Sequence, residues 1–344
     1  MASNRDLSNA QKAKKDEFYT QLPDIERELE YYKDYFKGKT VLCNCDDPRV
    51  SNFFTFFALN FEHYGLNRLI TTCYKNQERD LFSQNNSEKA IWLEYNGDLN
   101  GNGVPDPEEI GIHYLKGDGD FRSEECIELL KQADIVCTNP PFSLFRDFMK
   151  LLMDYNKKFL IIGNMNAMKY KEIFPYFQRN EMWYGPSISS GDREFGVPKS
   201  YPLNAAGCRV DEAGNKFIRV KGVRWFTNLD HQKRNERFEL YKRYTPEEYP
   251  KFDNYDAINV NKAIDIPKDY PGVMGVPISF MDKYNPDQFE IVGITGRDVE
   301  LKSKVYGKDV EGWNDLNAHP VLLINGKHKS LYDRILIRHR RPSK

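Results

Sequence analysis

The order of apolar segments predicts an α/β protein whose first half carries a parallel, helix-covered sheet and whose second half is strand-rich and irregular. Three observations carry this expectation. Apolar runs of strand length alternate with amphipathic helical stretches between residues 40 and 165, the pattern of parallel strands joined by helical crossovers. A rigid turn, Asn139-Pro140-Pro141-Phe142, falls between one of those strands and the helix after it. Beyond residue 165 the periodicity gives way to short aromatic-rich pieces broken by Gly, Pro and Asn.

The elements follow in order. A helix is expected from Pro23 and Asp24, because Ile25, Leu29, Tyr32 and Phe36 recur at helical spacing and Gly38 stops them. Residues 41–45 read as a strand and lead into the polar turn Asp46-Asp47-Pro48-Arg49. One helix from Ser51 then presents Phe53, Phe57, Phe61 and Tyr64 on a single face up to Gly65. Strands are expected over 69–73, 90–95 and 110–115. A helix over 124–132 leads into a strand at 134–138, the Asn139–Phe142 turn, and a helix with Leu144, Phe148, Leu151 and Leu152 on one face. A buried strand over 158–163 closes the series, and the chain holds no internal repeat.

Composition sets limits on function. At 344 residues, 40% hydrophobic and 14% aromatic, the chain can build a sizeable core in two domains, taken as 1–230 and 231–344. No apolar run approaches the roughly 18 residues of a membrane helix, and the polar start Met1-Ala2-Ser3-Asn4 is no secretory signal. A cytoplasmic protein without a membrane partner is expected. The six cysteines and six histidines are dispersed without knuckle spacing, so no metal site is expected. Cys43, Cys45, Cys73 and Cys137 fall in expected strands, where they read as small buried hydrophobes. A net charge of −1 argues against a polycationic, non-specific nucleic-acid binder. Charge is nevertheless uneven: residues 327–344 carry seven Lys and Arg against Asp333 alone. Arg334 and Arg338 flank Ile335-Leu336-Ile337 there, a placement that suits phosphate contacts.

The Asn139-Pro140-Pro141-Phe142 turn carries the chemistry. The carboxyl edge of a parallel sheet is where such folds place ligands. Two consecutive prolines fix φ and remove two amide donors, so the turn is stiff and exposes carbonyls. The Asn139 side-chain oxygen and the Pro140 carbonyl can then both accept from one –NH₂ group, with the Phe142 ring beside a planar base. An exocyclic amine is a poor nucleophile because its lone pair is delocalised into the ring. Two acceptors on its hydrogens would orient that lone pair toward an incoming methyl group and stabilise the developing positive charge. In a duplex, the base must first be flipped out.

Further segments qualify this picture. Asp118-Gly119-Asp120-Phe121 is a second acidic turn at the same edge, where a carboxylate could accept from the adenine amino group of a cofactor, with the Phe121 amide on a ring nitrogen. Asp98, Asn100, Asn102, Gly103, Asp106 and Glu109 fit the spacing of a calcium-binding helix–loop–helix. The strands on either side, and Pro105 and Pro107, make a plain β-connection the better reading. Residues 189–196, including Arg193, read as a mobile loop that would help close over a flipped base. Lys233 and Arg234, within 231–237, are candidate DNA contacts in a second half expected to cover a DNA groove.

The chain resembles the EcoRI-type adenine-specific DNA modification methylases. The matching segments are residues 16–22, 43–48 with 51–53, 117–123, 134–145, 224–229, 274–277, 282–286 and 334–338, nearly the whole length. The resemblance implies a Rossmann-like S-adenosylmethionine-dependent methyltransferase sheet with a C-terminal strand-rich target-recognition region. It implies that Phe18, Tyr19 and Thr20 contact the methionine end of S-adenosylmethionine, and that Asp46 or Asp47 meets its ammonium. Asp120 and Phe121 would hold the cofactor adenine, and Asn139, Pro140, Pro141 and Phe142 the target base. Double-stranded DNA is the implied partner of a monomer, with Arg193, Lys233, Arg234 and Arg338 as contacts and a cognate restriction endonuclease in the same system. Two departures stand out. Residues 43–48 contain no glycine, and Thr71-Thr72-Cys73-Tyr74 stands where an acidic residue ordinarily binds the ribose. The alternatives are methylation of an RNA base or a protein glutamine, or a non-catalytic DNA-binding relative.

Overall fold

The computed structural model describes residues 18–45, 51–72, 90–198, 201, 207–296 and 298–342. They fall into two compact units, one from Met1–Ala167 with Tyr184–His231, the other from Met168–Trp183 with Gln232–Lys344.

The first unit is built on strands β1 (Tyr19–Thr20), β2 (Thr40–Asn44), β3 (Arg68–Thr72), β4 (Ile91–Tyr95), β5 (Ile110–Tyr114), β6 (Ile135–Thr138), β7 (Lys158–Asn164), β8 (Trp183–Tyr184), β9 (Asp192–Val197), β10 (Arg209–Val210), β11 (Lys216–Lys221) and β12 (Val223–Thr227). Eight of them form one sheet in the order β5-β4-β3-β2-β6-β7-β12-β8. Its centre, β3-β2-β6-β7, is parallel as expected. Its flanks are not: β4 pairs antiparallel with β3, β5 with β4, and β12 with β7. The expected parallel sheet is therefore a mixed one. Apolar patterning reports burial and not direction, and an antiparallel neighbour needs no helical crossover.

Two further expectations are corrected. The single helix from Ser51 is two, α2 (Asn52–Leu59) and α3 (Phe61–Tyr64), after α1 (Leu22–Leu29). The break comes at Asn60, whose side-chain amide donates back to the Phe56 carbonyl at 2.8 Å, a competitor to helical continuation. Phe53, Phe57, Phe61 and Tyr64 are buried all the same. The loop expected over 189–196 is largely β9, a middle strand of the second sheet, β1-β9-β11-β10. It pairs antiparallel with β1 and β11 and turns Phe195 and Val197 into the core.

Around the large sheet, α4 (Glu124–Gln132) and α5 (Phe145–Asp154) supply the further helices. The helix expected up to Gly38 is α1 followed by a 3₁₀ segment, Glu30–Tyr35, and the apolar face Ile25, Leu29, Tyr32 and Phe36 is buried along both. Within it Glu28 accepts from the Tyr32 hydroxyl at 3.0 Å and from the Ser187 amide at 2.8 Å. Burial, and then the Glu28 charge, push the Tyr32 phenol well above its usual range.

The 98–109 connection joins β4 to β5, with strands on both sides. Asp98 accepts from the Gly101 and Gly103 amides at 2.7 and 2.6 Å, and Glu109 from those of Leu99 and Asn100 at 2.7 and 3.1 Å. Among the described residues no group of three or more His, Cys, Asp and Glu is placed to hold a metal ion.

The second unit holds α6 (Phe174–Gln178), α7 (Trp313–Ala318) and a four-stranded sheet ordered β13-β14-β18-β15. Its strands are β13 (Ile258–Asn259), β14 (Met274–Pro277), β15 (Phe289–Ile294) and β18 (Arg334–His339). A separate hairpin comprises β16 (Val321–Ile324) and β17 (Lys327–Ser330). No described helix is long and apolar enough to cross a membrane.

Candidate active site

The site grows from the carboxyl end of β6. The Thr138 hydroxyl donates to the Asn44 carbonyl, tying the ends of β6 and β2 together. The chain then turns through Asn139 and the two prolines into a short 3₁₀ turn, Phe142–Leu144, and α5. Asn139 is only 5% exposed. Its Nδ2 donates to the Phe18 carbonyl at 2.5 Å. A carbonyl can only accept, so this bond sets which way the Asn139 amide faces and leaves Oδ1 as its remaining acceptor. That oxygen is buried and has no hydrogen-bond partner, a state that costs roughly 1–3 kcal/mol unless a ligand relieves it. Among the described residues no donor reaches the Pro140 carbonyl either. The turn thus carries, on two consecutive residues, acceptors that the protein itself does not use.

Phe142 is half-buried. Its ring stands edge-on to Phe18 at 5.5 Å and to Phe195 at 6.4 Å. Phe18 therefore serves the turn twice, with its carbonyl on Asn139 and its ring on Phe142. Strand β1 holds it there: Tyr19 and Thr20 pair with Gly196 and Phe195 of β9, and Asn52 Nδ2 donates to the Thr20 carbonyl at 2.6 Å.

Thr20 Oγ1, Asn44 Oδ1 and Thr71 Oγ1 are among the other buried side-chain atoms of this unit without a hydrogen-bond partner, with Ser187 Oγ and Trp225 Nε1 farther along the chain. Asn44 ends β2 and Thr71 lies one residue from the end of β3. Thr20 was expected at the site from the sequence; Asn44 and Thr71 were not. The available signal was a polar residue closing an otherwise apolar strand. Cys45, next in line, adopts a left-handed φ of +77°. It takes the backbone conformation that glycine supplies in ordinary cofactor loops, at a steric cost glycine would not bear. Asp46 and Asp47 lie outside the described residues.

Asp120 and Phe121 sit in the turn before α4. The Asp120 carboxylate is held by Arg122, at 2.6 Å from Nη2 and 2.9 Å from Nε. The Phe121 ring is buried edge-on against Phe148 at 5.1 Å. Among the described residues nothing accepts from the Phe121 amide.

Of the four expected DNA contacts, Arg193 lies in the first unit, its Nε 3.8 Å from the Asp24 carboxylate. Burial raises the Asp24 pKa while Arg193 opposes that rise. The other three lie in the second unit. Arg234 stacks on Trp183 at 3.7 Å and donates to Asn180. Arg338 pairs with Glu290 at 2.8 Å. Lys233 is exposed in a 3₁₀ turn, Gln232–Asn235.

An α/β sheet that offers a proline-locked pair of free acceptors at its carboxyl edge is the architecture of an amine-directed methyltransferase. The sequence profile of the family described as "Adenine-specific methyltransferase EcoRI" matches residues 6–340, and the chain belongs to that family. It is 47% identical over 309 residues to the Type II methyltransferase M.EcoRI of Escherichia coli, spanning 88% of this chain and 94% of that protein. It is 38% identical over 340 residues to the Type II methyltransferase M.MgeORF184P of Mycoplasma genitalium, spanning 96% and 98% of the two chains. With the Type II methyltransferase M.MpnI of Mycoplasma pneumoniae it shares 37% identity over 342 residues, 97% and 98% of the two chains. No solved structure matches it.

Proposed function

We propose that this chain methylates the exocyclic N6 of adenine at a specific sequence in double-stranded DNA, with S-adenosylmethionine as methyl donor. The observation that carries the reading is the buried, unpartnered Oδ1 of Asn139 beside the free Pro140 carbonyl. An –NH₂ group has two hydrogens, and these two acceptors match them. With both hydrogens engaged, the nitrogen lone pair points out of the base plane and charge developing on nitrogen meets two oxygen dipoles. The proton leaves to solvent once the N–C bond has formed, so no side chain of unusual pKa is needed. The half-buried Phe142 ring offers a stacking face for an adenine turned out of the duplex.

The residues present fit the cofactor. Thr20 Oγ1, Asn44 Oδ1 and Thr71 Oγ1 are polar atoms in search of partners near the strand ends, and the Phe121 amide is an unused donor. Phe18, Tyr19, Thr20, Asp46, Asp47, Asp120 and Phe121 would hold it. When bound, S-adenosylmethionine supplies a methyl group activated on a sulfonium. On this reading the sheet of the first unit is a Rossmann-like methyltransferase core. Residues 231–344 recognise the DNA site, with Arg193, Lys233, Arg234 and Arg338 among the contacts. On the same reading the chain acts as a cytoplasmic monomer beside a cognate endonuclease, and the Type II names of the relatives support the restriction-modification setting.

The test is modified-base sequencing of DNA from cells expressing the chain, with Asn139→Ala as control. Methyladenine at one short motif, absent in the control, is the expected result. DNA free of methyladenine, from a folded protein that binds S-adenosylmethionine, would move the substrate to RNA or protein.

A further inference from the structure

The β16–β17 hairpin of the second unit contains none of the residues expected at the site. Asn325 and Gly326 make its two-residue turn, with φ of +50° and +74°, both left-handed as a type I′ turn requires. The base is anchored. Val321 and Leu322 are buried, the Val321 amide donates to Asn254 Oδ1 at 2.8 Å, and the Asp253 amide donates to the Val321 carbonyl at 2.8 Å. Above that base every residue from 323 to 329 is exposed.

Two properties of this tip call for a partner. Leu323 and Ile324 are 55% and 43% exposed, and Tyr332 just beyond is 89% exposed. Apolar groups gathered on a projecting ribbon are unfavourable in water unless something covers them. The two lysines of the tip are also uncompensated, whereas His328 between them lies 3.6 Å from the Asp253 carboxylate. Residues 316–332 contain no Asp or Glu, and Lys327 and Lys329 have no ion-pair partner among the described residues. The register, with Leu322 opposite Lys329 and Ile324 opposite Lys327, sets both lysines and Ile324 on one face of the ribbon. Elsewhere in the basic C-terminal stretch Arg338 pairs with Glu290, Arg334 is half-buried and Arg340 donates to the Pro286 carbonyl.

We propose that this hairpin enters a groove of the DNA duplex, Lys327 and Lys329 neutralising phosphates while Leu323 and Ile324 meet base edges. The inference rests on the reading of the chain as a DNA methyltransferase and names an element that engages the DNA. A two-stranded ribbon fits the major groove, about 12 Å wide, where apolar groups meet the thymine methyl. A protein surface would cover the apolar tip equally well but gives no reason for two uncompensated lysines beside it.

The test compares full-length wild type with Lys327→Gln/Lys329→Gln and Leu323→Ser/Ile324→Ser. Binding is followed by fluorescence anisotropy over a range of salt, on one duplex carrying the methylated motif and one lacking it. The lysine pair is expected to bind both duplexes about tenfold more weakly, with the slope of log K against log salt reduced by about 2. The apolar pair is expected to keep the wild-type slope and lose preference for the motif. Both variants change exposed residues, and unaltered circular-dichroism melting would show that they fold. Wild-type affinity, slope and preference in folded variants would overturn the hairpin assignment alone. A wild type that methylates no DNA would instead overturn the reading beneath it.

Discussion

Two polar turns of the first unit look alike on paper and behave in opposite ways. The 98–109 connection is dense in Asp, Asn and Gly, and it directs its acceptors inward: Asp98 onto the Gly101 and Gly103 amides, Glu109 onto Leu99 and Asn100. The Asn139–Phe142 turn has far fewer polar groups, yet it leaves Asn139 Oδ1 and the Pro140 carbonyl without donors. The backbones differ as well. The connection makes its left-handed turns with glycine, Gly101 at φ +78° and Gly103 at +76°, whereas the site edge forces Cys45 to +77°. Spare hydrogen-bonding capacity, held rigid and out of water, marks a reacting site better than the number of polar residues does.

The largest expected break in this contrast is Asn139→Ala. Methyl transfer should fall about a hundredfold or more, the scale of losing one oriented polar contact in a transition state. Affinity for S-adenosylmethionine by isothermal titration should stay within a few-fold. Equal losses in binding and rate would remove Asn139 from the role assigned to it.

Next comes Phe142→Ala. Removing one stacking face should weaken productive binding of the flipped base by roughly tenfold or more, seen in kcat/KM on duplex substrate. A duplex with a mismatched target adenine, which costs less to unpair, should recover part of that loss.

A smaller effect is expected from Cys45→Gly, which relieves a left-handed strain but loosens the unfolded chain. Stability should rise by up to about 1 kcal/mol in urea melts. A clear loss of stability would show that the thiol contributes more than its backbone strain costs.

The smallest effect belongs to the self-contained connection. Asp98→Ala should leave transfer within about twofold of wild type while speeding hydrogen exchange at the Gly101 and Gly103 amides. In the wild type those amides, Gly103 foremost, hold the Asp98 carboxyl below its usual range. A depressed folded pKa means its stabilising contribution is present above the unfolded value and lost as pH falls through the folded one. Exchange protection at Gly103 should therefore hold at neutral pH and decline only below about pH 4.

How much of this was legible beforehand depends on which force set each feature. Helical spacing placed Ile25, Leu29, Tyr32 and Phe36 on one buried face, and the four strands of the parallel centre fell where apolar runs predicted them. Burial pattern is written locally, residue by residue, so a single chain displays it. The Asn-Pro-Pro-Phe turn was equally plain, because proline constrains its own backbone whatever surrounds it.

Features that depend on distant partners stayed hidden. The antiparallel flanks of the sheet, the pairing that makes β9 a strand, and the buried oxygens of Asn44 and Thr71 all depend on what lies across from them. The pairing of Arg338 with Glu290, opposite it across β15 and β18 but 48 residues away in sequence, was equally out of sight. The sequence by itself determined the core-facing residues and the stiff reactive turn. Only the tertiary structure decided the 2.5 Å bond from Asn139 Nδ2 to the Phe18 carbonyl, between residues 121 positions apart, which fixes the amide and leaves its oxygen unpartnered. A local pattern can name an acceptor, but a donor or acceptor brought by folding decides whether it remains free to act.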